Sequence, residues 1–397
     1  MSDSPKQLVH PGQIIRYEFA APFEESKVPE RPKIIQWNIE RAYKLDSIIE
    51  ILKDMDADII VLQEIDVYCE RSENRNSAYE LCSSLQMNGV FVVEFVELKS
   101  SHRNQKTQGG GWHGNGILSK LPIKDERRVL HKYMAVDWDR DGHKYKEPRI
   151  GRRVAMTAVV EAQVPIQVYS VHLEVFCGIF GRLRQFADIL MDCRQVIASG
   201  IEHVVVFGDL NTMAHGVARL IRSYCRDEMR WKSLGHSEAQ WWFNNLFSVT
   251  SPPNSRLAKY CPRHLTADEA GELWNPLMID AHPQITTLQS YKGLVYKGKL
   301  DWTLLRSFAI VDSGTENDHF RFSDHKLLWV IVQPMIGPEC AQDAFGLGKS
   351  SLKKRRRLAV VPESFPLWII LSSVVFLLLT VICLQCGLSL WMGASSK

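Results

Sequence analysis

Several things are missing from this 397-residue sequence, and each omission narrows its reading. The opening stretch MSDSPKQLVHPG has no apolar run, so nothing in it is expected to direct translocation. The nine cysteines include no CxxC pair apart from Cys383 and Cys386, which argues for reduced thiols and against a disulfide framework or a zinc site. Positive charge is not in general excess. The overall +3 arises after residue 350, where six Lys/Arg face a single Glu, and the preceding 350 residues are slightly negative, which disfavours a non-specific nucleic-acid binder. No internal repeat is visible, so a solenoid is excluded.

One more absence is local. Ser364 to Ser396 holds no charged residue, and Leu367 to Leu390 reads as a transmembrane helix framed by Trp368 and Trp391. Their separation corresponds to about 35 Å of helix, enough for one crossing. The cluster KKRRR at 353–357 precedes it, and the positive-inside rule keeps that cluster cytosolic. The expectation is a tail-anchored, single-pass membrane protein with a cytosolic N-terminal domain; a nuclear localisation signal or a solvated linker is the alternative for the basic run. The boundaries read as an extension over 1–30, a main domain over 31–335, a linker over 336–365, the membrane helix over 366–390 and a short tail over 391–397.

The rest has ordinary globular composition, with 45% apolar and 23% charged residues. KIIQWNIE and ADIIVLQEI read as buried strands, with a helix between them marked by Leu45, Ile48, Ile49, Leu52 and Met55. Ser77 to Met87 reads as a second helix, and GVFVVEFVEL and GNGILSK as strands. Val154 to Ala162 and Ile166 to Val171 read as paired strands, followed by a helix carrying Leu183, Phe186, Leu190, Cys193 and Ile197 on one face. Strands are expected again at 203–207, 300–305 and 326–332, with an irregular insertion between Ser223 and Leu300. Interleaved strands and helices imply an α/β domain, and the adjacent pair at 154–171 argues against a purely parallel sheet.

Polar residues end these apolar strands. Asp209 and Asn211 in VVFGDLNTM lie two apart and project to one side, as do Asn38 and Glu40. Glu64 ends VLQE, His172 ends YSVH, Asp301 opens LDWTLL, and Asp324-His325 precede KLLWV. Carboxylates suit a hard cation, amides orient phosphate or water, and a histidine moves a proton, so the set points to metal-assisted hydrolysis.

In order, QWNIE, VLQE, GNGILS, VHL, GDLN, LDWTLL and SDH resemble the endonuclease/exonuclease/phosphatase superfamily, whose fold is shared by deoxyribonuclease I, abasic-site nucleases, neutral sphingomyelinases and inositol-polyphosphate 5-phosphatases. The resemblance implies a four-layer α-β-β-α sandwich of two mixed β-sheets with the site at one end. It implies Glu64 as the metal-binding glutamate, with Asn38 at the metal and phosphate, Glu40 as an additional ligand and Asp324 near the metal. Asp209 would orient or deprotonate the attacking water, and Asn211 would hold the phosphate. His325 would contact the phosphoryl oxygens or move a proton with Asp301 as its carboxylate partner, and His172 would assist near the scissile phosphate. The implied cofactor is Mg²⁺, with Mn²⁺ as the alternative.

The substrate is open at this stage. A phosphodiesterase acting on nucleic acid or on a phospholipid, as in neutral sphingomyelinases, stands first; a phosphomonoesterase and an inactive membrane-tethered scaffold are the alternatives. A 5-phosphatase is disfavoured because Trp302 follows Asp301 where that signature has arginine. Asn115, Arg149 and Arg153 are expected to bind substrate phosphate, the arginines alternatively forming a strand-edge patch. The loop from Ser100 to Gly114 reads as a lid or as a mobile segment. Trp241 and Trp242 read as a base-stacking or lipid-dipping pair, or as buried packing.

Overall fold

The computed structural model describes residues 9–213, 238–247 and 276–336, apart from 277, 284, 286, 292 and 293. The expected membrane helix at 366–390, the basic cluster at 353–357 and the tail at 391–397 lie outside the described residues, as does much of the expected insertion. Among the described residues no helix is long and apolar enough to cross a membrane.

Sixteen strands are described: β1 (Ile14–Tyr17), β2 (Lys33–Asn38), β3 (Ile59–Val67), β4 (Asn88–Glu97), β5 (Trp112–Ser119), β6 (Ile123–Leu130), β7 (Arg149–Gly151), β8 (Val154–Glu161), β9 (Pro165–His172), β10 (His203–Asp209), β11 (Ile279–Asp280), β12 (Leu288–Tyr291), β13 (Leu294–Gly298), β14 (Asp301–Arg306), β15 (Phe308–Glu316) and β16 (Leu327–Pro334). The helices are α1 (Leu45–Met55), α2 (Ser77–Leu85), α3 (Trp138–Asp141), α4 (Ile179–Ala198) and α5 (Glu238–Trp242). One sheet runs β1-β4-β5-β3-β2-β16-β15 with β7 on β4, a second runs β11-β14-β10-β9-β8-β6, and β12 and β13 form a separate hairpin. Both large sheets are mixed, since β2–β3 and β9–β10 are parallel pairs and the other pairs are antiparallel.

Each central strand buries both faces, and the period of two divides its residues between two cores. Ile34, Ile59, Val61, Val90, Val92 and Ile117 of the first sheet meet Met156, Val168, Val205, Phe207 and Leu305 of the second. On the far side of the first sheet, Ile35, Trp37, Ile60 and Leu62 pack under Ile48, Leu52 and Leu81 of α1 and α2. On the far side of the second, Tyr169, Val171, Val206 and Trp302 pack under Leu183, Phe186 and Leu190 of α4. The result is four layers, helix–sheet–sheet–helix. Trp242 is fully buried in the outer core, its ring centroid 5.1 Å from Phe186 and 6.4 Å from Trp302, so the tryptophan pair is packing rather than a stacking platform.

Two expectations need adjustment. The segment read as an N-terminal extension supplies β1, which pairs antiparallel with β4 from Ile14–Val92 to Tyr17–Gly89. The loop after Ser100 is tied down: the Arg103 side chain is buried, donates to Glu97 Oε2 at 2.5 Å and to the carbonyls of Thr107 and Pro148 at 2.9 Å. A buried guanidinium released from its carboxylate would be left uncompensated, which opposes lifting of this loop as a lid.

Candidate active site

Following the inner faces of the sandwich toward one end, apolar residues give way to polar ones. Gln36 and Asn38 follow Ile34 on β2, Gln63 follows Val61 on β3, and Asn115 precedes Ile117 on β5. Ser170 and His172 follow Val168 on β9, Asp209 follows Phe207 on β10, and Asp301 and Thr303 precede Leu305 on β14. The same alternation that builds the core therefore delivers the site, because a strand that passes beyond the core keeps pointing every second side chain inward.

Asp209 is the centre. Strand register sets it beside His172 on one side and Asp301 on the other. Its Oδ1 accepts from the Asn211 backbone N–H at 2.8 Å and its Oδ2 accepts from Asn38 Nδ2 at 3.1 Å. The same Oδ2 lies 3.7 Å from both His172 Nε2 and His325 Nε2. Gly208 makes this register attainable, since a Cβ there would stand 1.9 Å from the Val171 carbonyl oxygen at a φ of +156°.

Glu64 stands at an irregularity in β3, where the pairing with β5 shifts between Leu62 and Ile65 and Glu64 adopts a φ of 59°. Such a bulge re-aims one side chain, and here it brings the Glu64 carboxylate to Asn38 Nδ2 at 3.2 Å with 23% of the side chain still open to solvent. Glu40, Arg41 and Ala42 are three consecutive non-glycine residues with positive φ, and Asn211 is another. Left-handed conformations cost about 1–2 kcal/mol each, so their concentration here marks a segment whose shape is imposed by its surroundings. Glu40 Oε2 accepts from the Asp324 backbone N–H at 3.1 Å, which joins it to the segment just before β16.

The two histidines are held in opposite senses. His325 Nδ1 lies 2.8 Å from Asp301 Oδ2, and the other oxygen of Asp301 accepts from Gln36 Nε2 at 2.9 Å. A carboxylate accepts only, so Nδ1 carries the proton and Nε2 faces Asp209 and Asp324. Burial opposes charging His325, but Asp301, Asp324 and Asp209 outweigh it and raise its pKa well above the ordinary value. His172 Nδ1 lies 3.0 Å from Arg153 Nη1, which also donates to Glu94 Oε2 at 2.7 Å. Burial and then the Arg153 charge push its pKa well below the ordinary histidine range.

Beneath the site runs a chain of amides. Gln36 Nε2 also donates to Gln63 Oε1 at 2.8 Å, Gln63 Nε2 donates to Ser170 Oγ at 3.0 Å, and Ser170 donates to the Leu62 carbonyl at 3.0 Å. Each partner fixes the next, and the Gln36 amide nitrogen is forced toward Asp301 because both of its neighbours are acceptors. At the rim, Arg41 stands 4.0 Å from Glu64 and donates to Glu147 at 2.8 Å.

The expected set converges in large part. Asn38, Glu64, His172, Asp209, Asp301 and His325 form one cluster; Glu40 and Asp324 sit at its edge, and Asn211 joins it through its backbone N–H. Asn115 is fully buried, and neither atom of its carboxamide has a hydrogen-bond partner. Arg149 and Arg153 do not form a phosphate grip. Arg149 lies between the rings of Trp138 and Phe95, at 3.7 and 4.1 Å from their centroids, and pairs with Glu147 and Glu97. Arg153 is buried against Glu94 and His172. Glu94 and Glu97, which match these guanidinium groups alongside the neighbouring Glu147, are far away in sequence, and the local arginine cluster did not reveal them. The sequence reading missed Gln36, Gln63, Arg41 and Glu94. The period of two that singled out Asn38 also marks Gln36, whereas nothing local marks the others.

Residues 35–325 match the family model described as "Endonuclease/Exonuclease/phosphatase family". Among solved structures the chain is similar to ANGEL2, described as a 2′,3′-cyclic phosphatase, at 13% identity and a TM-score of 0.46, covering 82% of this chain and 99% of that one. It is similar to the human Nocturnin catalytic domain at 14% identity and a TM-score of 0.42, covering 81% and 99%. It is also similar to an endonuclease/exonuclease/phosphatase from Beutenbergia cavernae at 14% and 0.45, covering 77% and 72%. At these values nothing about the substrate follows from the likenesses. No curated protein matches the chain in sequence. The family match spans well over half of the chain and contains every residue of the cluster around Asp209: the chain belongs to the endonuclease/exonuclease/phosphatase family and is a phosphoric ester hydrolase.

Proposed function

We propose that this chain is a divalent-metal-dependent phosphodiesterase that works by in-line attack of water, within a catalytic domain that includes β1 and ends near residue 335. The observation that carries this reading is Asp209, a buried carboxylate with Asn38, His172 and His325 all within 3.7 Å of one oxygen.

The donor set fits a hard cation. Glu64, Glu40 and Asp324 gather at the solvent-facing rim, where burial and then the Asp324 and Glu64 charges push Glu40 up to about 7. Asp324 is raised too, chiefly by burial, whereas Glu64, against its burial, is held below the usual range by His113 and Arg41; carboxylates so crowded are suited to sharing a divalent ion. Asp209, Asp301 and His325 also bring one ligand atom each within 4.8 Å of one another. Asp301 and His325 are already hydrogen-bonded to each other, however, so Glu64, Glu40 and Asp324, with Asn38, are the better ligand set. When bound there, Mg²⁺ or Mn²⁺ supplies Lewis-acid charge neutralisation at the phosphoryl and leaving oxygens.

The chain's own residues do the rest. Burial raises Asp209 to about 7, with the nearby Asp301 and Glu64 adding to it against the opposing His325, which suits it to orient a water and take its proton near neutral pH. His325, with Asp301 behind it, presents a cationic Nε2–H to developing charge on the phosphoryl group. Asn211 and Asn115 supply amide groups for phosphate; the unpartnered Asn115 carboxamide is the kind of buried group that a substrate or ordered water satisfies.

The test uses the purified full chain with Mg²⁺ or EDTA on single- and double-stranded DNA, RNA, sphingomyelin and a phosphomonoester. Diester cleavage stopped by EDTA and lost in Glu64→Gln supports the proposal; the identity of the cleaved diester separates nucleic acid from phospholipid. Turnover unchanged by EDTA or by Glu64→Gln overturns the metal assignment. Cleavage confined to the monoester overturns the phosphodiesterase reading.

The sequence of 366–390 carries a separate proposal, a membrane tether with the catalytic domain on the cytosolic side. Deleting 351–397 should move the protein from the membrane pellet to the supernatant on cell fractionation; unchanged partitioning would remove the tether.

A further inference from the structure

Arginine has five N–H donors and no acceptor. At 3.0 Å from Arg153 Nη1, His172 Nδ1 can therefore only be the acceptor of that hydrogen bond, with its lone pair occupied. The ring proton must then sit on Nε2, the atom facing Asp209 Oδ2 at 3.7 Å and Glu64 Oε1 at 3.9 Å. Arg153 is itself fixed: Nη1 donates to Glu94 Oε2 at 2.7 Å, and Glu94 Oε1 accepts from the Val154 backbone N–H at 3.1 Å. Its guanidinium carbon also lies 5.3 Å from the Phe95 ring centroid. The sequence Glu94–Arg153–His172 thus runs from β4 of one sheet, through the residue before β8, to the end of β9 in the other. An Arg-backed histidine and an Asp-backed histidine have opposite polarity at the ring nitrogen that faces away from the centre: His172 Nδ1 accepts and His325 Nδ1 donates.

We infer that Arg153 is a positioning residue that fixes His172 in its Nε2–H tautomer, so that His172 meets the substrate phosphoryl group as a hydrogen-bond donor and not as a base. This assignment rests on the reading of the site as a phosphoester hydrolase only for the words "phosphoryl group"; the tautomer stands on the hydrogen-bond geometry alone. Proton transfer is left to Asp209 and His325, and His172 holds one oxygen in place through the reaction.

The experiment has two arms. In the first, the full chain carrying ¹⁵N-histidine is treated with EDTA, and two-bond proton–nitrogen correlations identify the protonated ring nitrogen of His172, assigned through His172→Gln. Protonation on Nε2 is expected, with loss of this single-tautomer pattern in the Arg153→Met/Glu94→Gln double variant, in which neither charge is left unpaired. Protonation on Nδ1, or an unchanged pattern in the double variant, would overturn the assignment to Arg153.

In the second arm, Mg²⁺-dependent hydrolysis of bis(p-nitrophenyl) phosphate is compared in His172→Gln and His172→Ala. The glutamine amide replaces an N–H donor near the Nε2 position but cannot act as a base. A donor role predicts that His172→Gln keeps kcat within about tenfold of wild type, that His172→Ala falls by about a hundredfold, and that Arg153→Met/Glu94→Gln lowers kcat with KM little changed. Equal loss in the glutamine and alanine variants would mean that His172 moves a proton, and would sink the donor assignment. A wild type that shows the Nε2–H tautomer but hydrolyses no phosphoester would keep the positioning role and remove the functional reading, so the two failures are distinct.

Discussion

Two histidines flank Asp209 at the same 3.7 Å, yet the regions behind them are built on opposite principles. Behind His325 lie a carboxylate and an amide, Asp301 and Gln36; behind His172 lie a guanidinium and then a carboxylate, Arg153 and Glu94. The first arrangement stabilises an imidazolium and the second opposes one. Identical side chains at identical distances from one carboxylate are thereby given different chemistry by the residue each presents its far nitrogen to. The lesson is that a histidine's role at a strand end is set one residue further back than the site itself.

The sharpest way to break the comparison is to remove the acceptor behind His325. Asp301→Asn keeps the shape but offers Nδ1 either an amide donor or a neutral carbonyl, so the tautomer is no longer enforced. We expect kcat on a diester substrate to fall about 10³-fold, consistent with a positioned acid–base group and its orienting partner. Steady-state kinetics at saturating Mg²⁺ check this, and a loss below tenfold would place His325 outside the reacting centre.

That much of the site was legible follows from the way the sandwich is made. Asn38, His172, Asp209 and Asp301 continue the inward face of strands whose core positions are Ile34, Val168, Phe207 and Leu305, and the alternation is visible in the sequence. Glu64 was legible as the end of an apolar run, but its bulge and left-handed backbone were not, because any residue type can occupy such a strand position until the partner strand shifts. The arginines were misread for the opposite reason. Glu147 beside them was visible, but their other partners, Glu94 and Glu97, lie more than fifty residues away on β4, and a basic cluster looks much the same in sequence whether it awaits a phosphate or is already neutralised. The edge strands were missed on physical grounds too: β15 exposes Ile310 and Val311, and β6 carries Lys124, Asp125, Glu126, Arg127 and Arg128, so neither shows an alternating buried face.

A smaller effect sharpens the comparison from behind Asp301. Gln36→Met removes the amide that donates to Asp301 Oδ1 while keeping the length of the side chain. We expect about a tenfold loss in kcat with little change in KM, because the carboxylate loses one of its two fixed donors but keeps His325. Combined with Asp301→Asn the additional loss should be under about twofold, since residues acting through one group are not additive. Full additivity in the double-mutant cycle would show that Gln36 acts on the site by some other route.

The smallest expected effect is on stability, and here the two histidines should differ in sign. For His172 the folded pKa is lowered, so as pH falls below the unfolded value of about 6.5 the unfolded chain takes up a proton that the folded one refuses. Stability is then lost toward acid, with a slope of up to about 1.4 kcal/mol per pH unit from this group alone. For His325 the folded pKa is raised, so its stabilisation is fully present below about 6.5 and is lost as pH rises through the folded value. Urea denaturation of the EDTA-treated protein from pH 5 to pH 9 separates the two. Relative to wild type, His172→Gln should flatten the acid side of the stability profile and His325→Gln the alkaline side. Because each variant is compared with wild type at the same pH, titrating groups that do not interact with either ring cancel to first order, and what is left is the difference between an arginine and an aspartate standing behind the same ring, together with the carboxylates that His325 itself holds down, Asp209 and Asp324 among them. If both variants flattened the same limb, the opposite polarity of the two histidines would be refuted without any substrate being present.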